Sequence, residues 1–263
     1  NYQPATISRV YSRDGKVIDE FAQQRRLFIS ADEIPDIVKN AFISAEDKNF
    51  YNHIGYDPAG IAKAIFDAAN GKELRGASTI TQQVMKNFLL TRSRSIDRKI
   101  KEIILATRIE KSMSKEKILE LYLNEIFLGQ NSYGIASAAD TYFSKALDEL
   151  TLEEAAYLAS LPKAPSNYHP VRQKDRAIAR RNFVIREMEE NGYVSEDEAL
   201  IAKSKELITV QGGQLASKRA SRAPRTYFTD EIRRQLSLSF GEEEFFTGGL
   251  AVSATMDLKL QSD

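Results

Sequence analysis

The chain has no cysteine and only two histidines, His53 and His169, among its 263 residues. Without thiols there is no disulfide frame, no thiol nucleophile and no thiolate metal cluster, and two imidazoles argue against a zinc centre. The lack of cysteine assigns no compartment, because a cytosolic protein and a disulfide-free exported one share it. Net charge is missing as well: 37 Lys plus Arg balance 37 Asp plus Glu. That removes a whole-surface case for nucleic acid and requires any anion site to be local. No apolar run approaches the roughly 20 residues that cross a bilayer. Walker, Rossmann and H-E-x-x-H patterns are lacking. Two S-x-x-K matches, Ser112 to Lys115 and Ser114 to Lys117, have no K-T-G or S-x-N partner and read as chance.

What is present suits a globular body: 42% hydrophobic and 28% charged residues can build a real core in one or two domains. Ile7 to Tyr11 and Val17 to Phe21 alternate around Arg13-Asp14-Gly15-Lys16, which predicts a β-hairpin. From Asp36 the period becomes helical. Asp57 as cap, Pro58 at the first position and Gly71 as stop mark a helix over Pro58 to Asn70, with Ile61, Ile65, Phe66 and Ala69 on one face. Further helices are predicted from Ser78 to Leu90, Ile96 to Lys111, Lys115 to Phe127, Leu152 to Leu161 and Lys174 to Glu190, with another beginning at Ser195. Capping boxes at Thr151/Glu154 and Ser195/Glu198 support two of these starts. Beyond Val210 a Gly, Ser and Arg-rich stretch reads as a loop, followed by a helix over Tyr227 to Ser239 and a strand over Leu250 to Met256.

Three segments could carry chemistry. In Ala45-Glu46-Asp47-Lys48-Asn49-Phe50-Tyr51-Asn52-His53, an acid at the end of an apolar helix lies beside aromatic residues, where desolvation raises a carboxyl pKa toward a useful range. Glu46 is the candidate base; a plain helix end is the competing reading for Glu46 and Asp47, and a hydrogen-bonded structural role for His53. In Gly76-Ala77-Ser78-Thr79-Ile80-Thr81-Gln82-Gln83-Val84-Met85-Lys86, polar side chains crowd a helix start. Such a start suits phosphate or sugar hydroxyls if its N–H groups are free, and is only a heavily capped helix if they are not. Between Lys72 and Glu102, eight bases (Lys72, Arg75, Lys86, Arg92, Arg94, Arg98, Lys99, Lys101) face three acids (Glu73, Asp97, Glu102). This is either a solvated face, with Arg98 and Glu102 as an i,i+4 pair, or a diphosphate site with Lys86 and Arg98 on the oxygens. Ile118, Leu119, Tyr122, Leu123 and Ile126 read as core, and Gly129 and Gly134 as turns. The Pro-punctuated stretch Leu161 to Pro170 and the pair Arg180-Arg181 could rim a cleft, though packing and solvation explain both.

Taken in order, E-D-x-x-F-Y-x-H, G-x-S-T-I-T-Q-Q-x-x-K, R-K-x-x-E and K-I-L-E-L-Y-L-N resemble the peptidoglycan glycosyltransferase family, family 51, over about residues 30 to 190. This family forms the membrane-proximal half of class A penicillin-binding proteins and also occurs as monofunctional enzymes. The tail, with Thr247-Gly248-Gly249-Leu250 before a strand, is similar to a segment leading to a transpeptidase domain. The expectation is therefore a truncated bifunctional protein of the 1A type, with a glycosyltransferase domain over 1–210, a linker segment over 211–263, and a membrane anchor upstream of Asn1.

The resemblance implies a mainly α, lysozyme-like fold of two lobes, head and jaw, with a short N-terminal β-hairpin. It implies polymerisation of lipid II, with Glu46 as base on the acceptor 4-hydroxyl and undecaprenyl diphosphate leaving. Glu102 matches the second essential carboxylate, and Lys86 and Arg98 match diphosphate ligands. Asp47, Phe50, His53, Ser78, Thr79, Gln82, Gln83, Asn87 and Lys99 match positions along the same cleft. No protein metal site is implied, and no cofactor beyond a divalent cation, Mg2+ or Mn2+, at the diphosphate. Implied partners are lipid II, the growing glycan strand, other cell-wall synthesis proteins and a membrane surface. The jaw would meet that surface through the Ile61 to Phe66 helix or the Phe88-Leu89-Leu90 edge beside Arg92 and Arg94, on the periplasmic side of the bacterial inner membrane. The rivals are a lytic glycan-cleaving enzyme of similar fold and a non-catalytic cell-wall scaffold.

Overall fold

The computed structural model describes residues 8–15, 17–21, 25–70, 78–89, 96–216, 227–241 and 250–255. Lys72, Arg75, Gly76, Ala77, Leu90, Arg92, Arg94 and Thr247 to Gly249 lie outside them, as do the side chains of Ile65, Ala69 and Leu89.

The predicted hairpin forms from β1 (Ser8–Tyr11) and β2 (Val17–Phe21). They pair antiparallel, and Gly15 makes the turn at φ +80°. Strand β5 (Ala251–Ser253) joins β1 in parallel, so the sheet runs β2-β1-β5. Val10 and Ile18 from the hairpin pack with Ile232 and Leu236 of α10 (Tyr227–Phe240) and with Val252, so one small apolar core draws on both ends of the chain. A second, two-residue pairing joins β3 (Arg25–Arg26) to β4 (Ser132–Tyr133).

The main body is helical: α1 (Asp36–Glu46), α2 (Pro58–Ala69), α3 (Ile80–Leu89), α4 (Ile96–Glu110), α5 (Lys115–Glu125), α6 (Ile135–Phe143), α7 (Leu152–Ser160), α8 (Lys174–Glu190) and α9 (Glu196–Ser204). Helices α1, α7 and α8 pack on one another, and α3 packs between α4 and α5. The predicted starts hold except that α3 begins at Ile80, two residues after the expected Ser78. Asp57 accepts from Gly60 N at 2.9 Å to cap α2. Ser195 Oγ accepts from Glu198 N while the Glu198 carboxylate accepts from Ser195 N, the reciprocal box. The apolar stripe of α5, Ile118, Leu119, Tyr122 and Leu123, is buried, each such side chain stabilising the fold by about 1.5–3 kcal/mol. Ser114 is the N-cap of α5, accepting from Lys117 N, which gives this serine a structural role.

Helix α5 ends at Glu125, two residues before the expected Phe127, because Ile126 is extended and Phe127 turns out to bridge Tyr133. The polar positions of its motif are buried too. Asn124 accepts from Ile29 N at 2.9 Å and donates to Ile29 O at 2.8 Å, and Glu120 accepts from Ala31 N at 3.0 Å. Together they clamp the irregular segment leading into α1. Gly134 allows α6 to start against this helix: a Cβ there would lie 2.5 Å from Asn124 O, at φ +79°.

Arg181 and Arg180 part company. Arg181 is buried, its Nη1 donating to Lys205 O at 2.8 Å and its Nη2 to Lys203 O at 3.1 Å, so it caps the end of α9 and does not rim a cleft. Arg181→Leu should leave both carbonyls unpaired and lower unfolding stability by about 2–4 kcal/mol. Denaturant melts of the two chains measure this, and an unchanged midpoint would refute the capping role.

Candidate active site

Glu46 is the last residue of α1, and it opens into a cleft of about 600 Å³. Its Oε2 accepts from Gln83 Nε2, on α3, at 2.9 Å. Burial pushes its carboxyl above the ordinary range; the Gln83 bond and the positive charges of Arg180 and Lys163 pull it partly back, and Asp47 adds to the rise. Desolvation is the leading cause, as in the sequence reading; Phe50 is itself fully buried, edge-on to Tyr51 and His53.

Asp47 and His53 face each other. His53 Nδ1 accepts from Gly55 N at 3.1 Å, so the ring proton sits on Nε2 and is donated to Asp47 Oδ2 at 2.8 Å. The same Asp47 oxygen accepts from Ile80 N at 2.9 Å. This ties the turn after Glu46 to the first residue of α3. The turn also presses on α4: a Cβ on Gly55 would lie 2.6 Å from Ala106 C.

The start of α3 is self-capped. Thr79 Oγ1 accepts from Gln82 N, and Gln82 Oε1 accepts from Thr79 N, both at 3.2 Å. With Ile80 N held by Asp47, the N–H groups of Ile80 and Gln82 are spent internally, so they form no open anion cradle. The side chains face a cationic cluster instead. Lys99 Nζ donates to Ser78 Oγ at 2.7 Å, Gln82 Oε1 at 3.3 Å and Glu102 Oε2 at 3.1 Å. Arg98 Nε lies 3.0 Å from Glu102 Oε1, at an angle too poor for a hydrogen bond, and the Glu102 side chain is 4% exposed. The i,i+4 pair therefore forms, on a buried carboxylate.

Ser78, Thr79, Gln82, Gln83, Lys86 and Glu102 thus share the cleft with Glu46 and Asp47. Arg98 and Lys99 reach it through Glu102, Phe50 and His53 lie in the packing beneath, and Asn87 is exposed beyond its wall. The cleft is also lined by Lys163 after α7 and Arg180 on α8, from the two stretches that could rim a cleft, and by Phe183 and Glu187 on α8, which had no site role from sequence. Arg180 lies over the Phe183 ring at 4.5 Å, with its Nε unpartnered. The i, i+3, i+7 spacing on one helix face was the available signal.

A model described as "Transglycosylase" matches residues 14–189. The chain belongs to the transglycosylase family. Penicillin-binding protein 1A of Rickettsia felis is 44% identical over 267 residues, covering 99% of this chain and 33% of that protein. Penicillin-binding protein 1A of Aquifex aeolicus is 42% identical over 262 residues, again 99% of this chain and 35% of that one. The crystal structure of penicillin-binding protein 1A from Haemophilus influenzae superposes with a TM-score of 0.58 at 29% identity, covering 99% of this chain and 28% of that one. This transglycosylase spans about a third of the length of the curated relatives it matches. Its mainly α fold agrees with the family.

Proposed function

We propose that this chain polymerises lipid II into glycan strands. Glu46, ionised, takes the proton of the acceptor 4-hydroxyl; that oxygen bonds to the anomeric carbon of the growing strand from the face opposite the leaving group. The bond from that carbon to the diphosphate oxygen breaks, the electron pair leaves with undecaprenyl diphosphate, and the α linkage becomes β. The supporting observation is that Glu46, half-buried and proton-attracting, shares one cleft with Lys86 and with the Glu102 cluster. A diphosphate is already a good leaving group and needs cations more than a general acid. A lytic enzyme cutting mid-strand leaves no diphosphate, and inverting hydrolases place two carboxyls about 6.5–9.5 Å apart around a water.

Glu102 is engaged by Arg98 and Lys99, so a divalent cation there would meet two positive side chains. The residues present do not fit a resident metal at this carboxylate. Among the described residues, no three acids or histidines gather to hold one.

Phe66 is 67% exposed, and Ile100 and Ile104 on α4 are about half exposed. We read these as the side resting on the outer surface of the bacterial inner membrane, among anionic head groups. No helix among the described residues is long and apolar enough to cross a membrane. Sedimentation with anionic vesicles tests this reading; an unbound chain refutes it. For the reaction itself, the protein is incubated with lipid II and, separately, with preformed glycan strands. Polymer from the first is expected. Fragments from the second point to lysis, and inertness in both to a scaffold.

A further inference from the structure

Two charged side chains outside the cleft walls, Glu110 at the end of α4 and Lys115 at the start of α5, have no part in the chemistry above. Both are largely buried, with side chains 6% and 19% exposed. Lys115 Nζ lies 2.7 Å from Glu110 Oε2, 3.4 Å from His53 Nδ1 and 4.6 Å from the centre of the Phe50 ring. Glu110 Oε1 accepts from Thr81 Oγ1 at 2.5 Å and lies 3.6 Å from His53 Nδ1. His53 passes the link on through Nε2 to Asp47, which also holds Ile80 N. The network therefore grips the first turn of α3 twice, at Ile80 and at Thr81. That helix carries Gln83 to Glu46 and Lys86 into the cleft.

We propose that Glu110 and Lys115 are positioning residues for Glu46: the ammonium beside Nδ1 keeps that nitrogen an acceptor, so that His53 donates only to Asp47 and the start of α3 is held under the base. Without Lys115, the ring proton would be drawn to Nδ1 by the Glu110 carboxylate 3.6 Å away, at the expense of the bond to Asp47. The bond from Gly55 N would then be lost, and with it the fit of the 53–55 turn against α4. This inference rests on Glu46 being the base.

The test uses the chain with His169→Gln, leaving one imidazole, and compares Lys115→Met with Lys115→Arg. Nitrogen-15 NMR reads the His53 tautomer without substrate, and lipid II polymerisation is measured per folded enzyme. Lys115→Met should lose the Nε2–H signature and about tenfold to a hundredfold in kcat, the scale of a small misplacement, with KM little changed. Lys115→Arg should keep both. An unchanged tautomer in Lys115→Met, or an unchanged kcat, overturns the proposal. Normal polymerisation by Glu46→Gln would instead remove Glu46 as base, and the spectrum would be unaffected by that failure. If Lys115→Met does not fold, Thr81→Val decides, since it deletes only the hydroxyl bond to Glu110: a lowered kcat supports the positioning role and an unchanged one overturns it.

Discussion

Glu46→Gln should abolish polymer formation from lipid II while leaving the fold intact. The amide keeps the shape and can still meet Gln83, but it cannot take a proton from the acceptor hydroxyl. Loss of a positioned base costs about 10²–10⁴ in rate, and here nothing replaces it. Asp47, the adjacent acid, is committed to His53 and Ile80 N. Product counted by gel or chromatography decides this, and near-normal turnover would remove the mechanism.

The same residue sets a pH dependence. Glu46 works as the carboxylate, so the rate should rise with pH along a limb displaced above the ordinary carboxylate range, because burial raises its proton affinity. Stability runs the other way. The folded chain holds this proton more tightly than the unfolded one, so ionisation costs the fold progressively as pH climbs from the ordinary carboxylate range through the raised value. Glutamine removes that cost, and at neutral pH the Glu46→Gln chain should melt no lower than its parent. A rate profile with its acid limb at the ordinary carboxylate position would contradict the burial argument.

The elements most legible in the sequence were those with their own start or turn signals: α2 with its Asp57 cap, α9 with its Ser195 box, and the hairpin at Gly15, whereas the expected stop of α2, Gly71, lies outside the described residues. Helix α6 went unread because it is buried nearly all round. Its polar positions Ser137 and Thr141 are buried with the apolar ones, and Gly134 at its N-cap supplies no capping side chain to mark the start. Strand β3, two residues long, offers no pattern at all. At the site, residue types pointed to Glu46 and to the basic stretch, whereas the roles of polar groups depended on partners far away in sequence. Thr79 and Gln82 cap each other, and Asp47 spends its carboxylate on α3. Lys163 and Arg180 enter the cleft only because α7 and α8 fold back over α1.

Lys86→Ala should lower kcat/KM for lipid II by about 10²–10³, the scale of losing one charge aimed at a departing anion. Gln82 and Gln83 lie four and three residues before Lys86 on α3, so their side chains share a face with it and Lys86 enters the cleft beside the base. Among the described residues no carboxylate is paired with it, whereas Arg98 and Lys99 are both drawn onto Glu102. Its charge is thus available to oxygens that gain charge as the anomeric bond breaks. Arginine at this position keeps the charge but replaces a compact ammonium with a wide planar fork, so Lys86→Arg should recover only part of the loss. Raising the salt concentration should slow the parent more than Lys86→Ala, because the variant has less attraction left to screen. Steady-state rates at two ionic strengths measure both effects. A change under threefold in kcat/KM would show that the diphosphate is held elsewhere in the cleft, and the contrast with a lytic site would then lose its chief support.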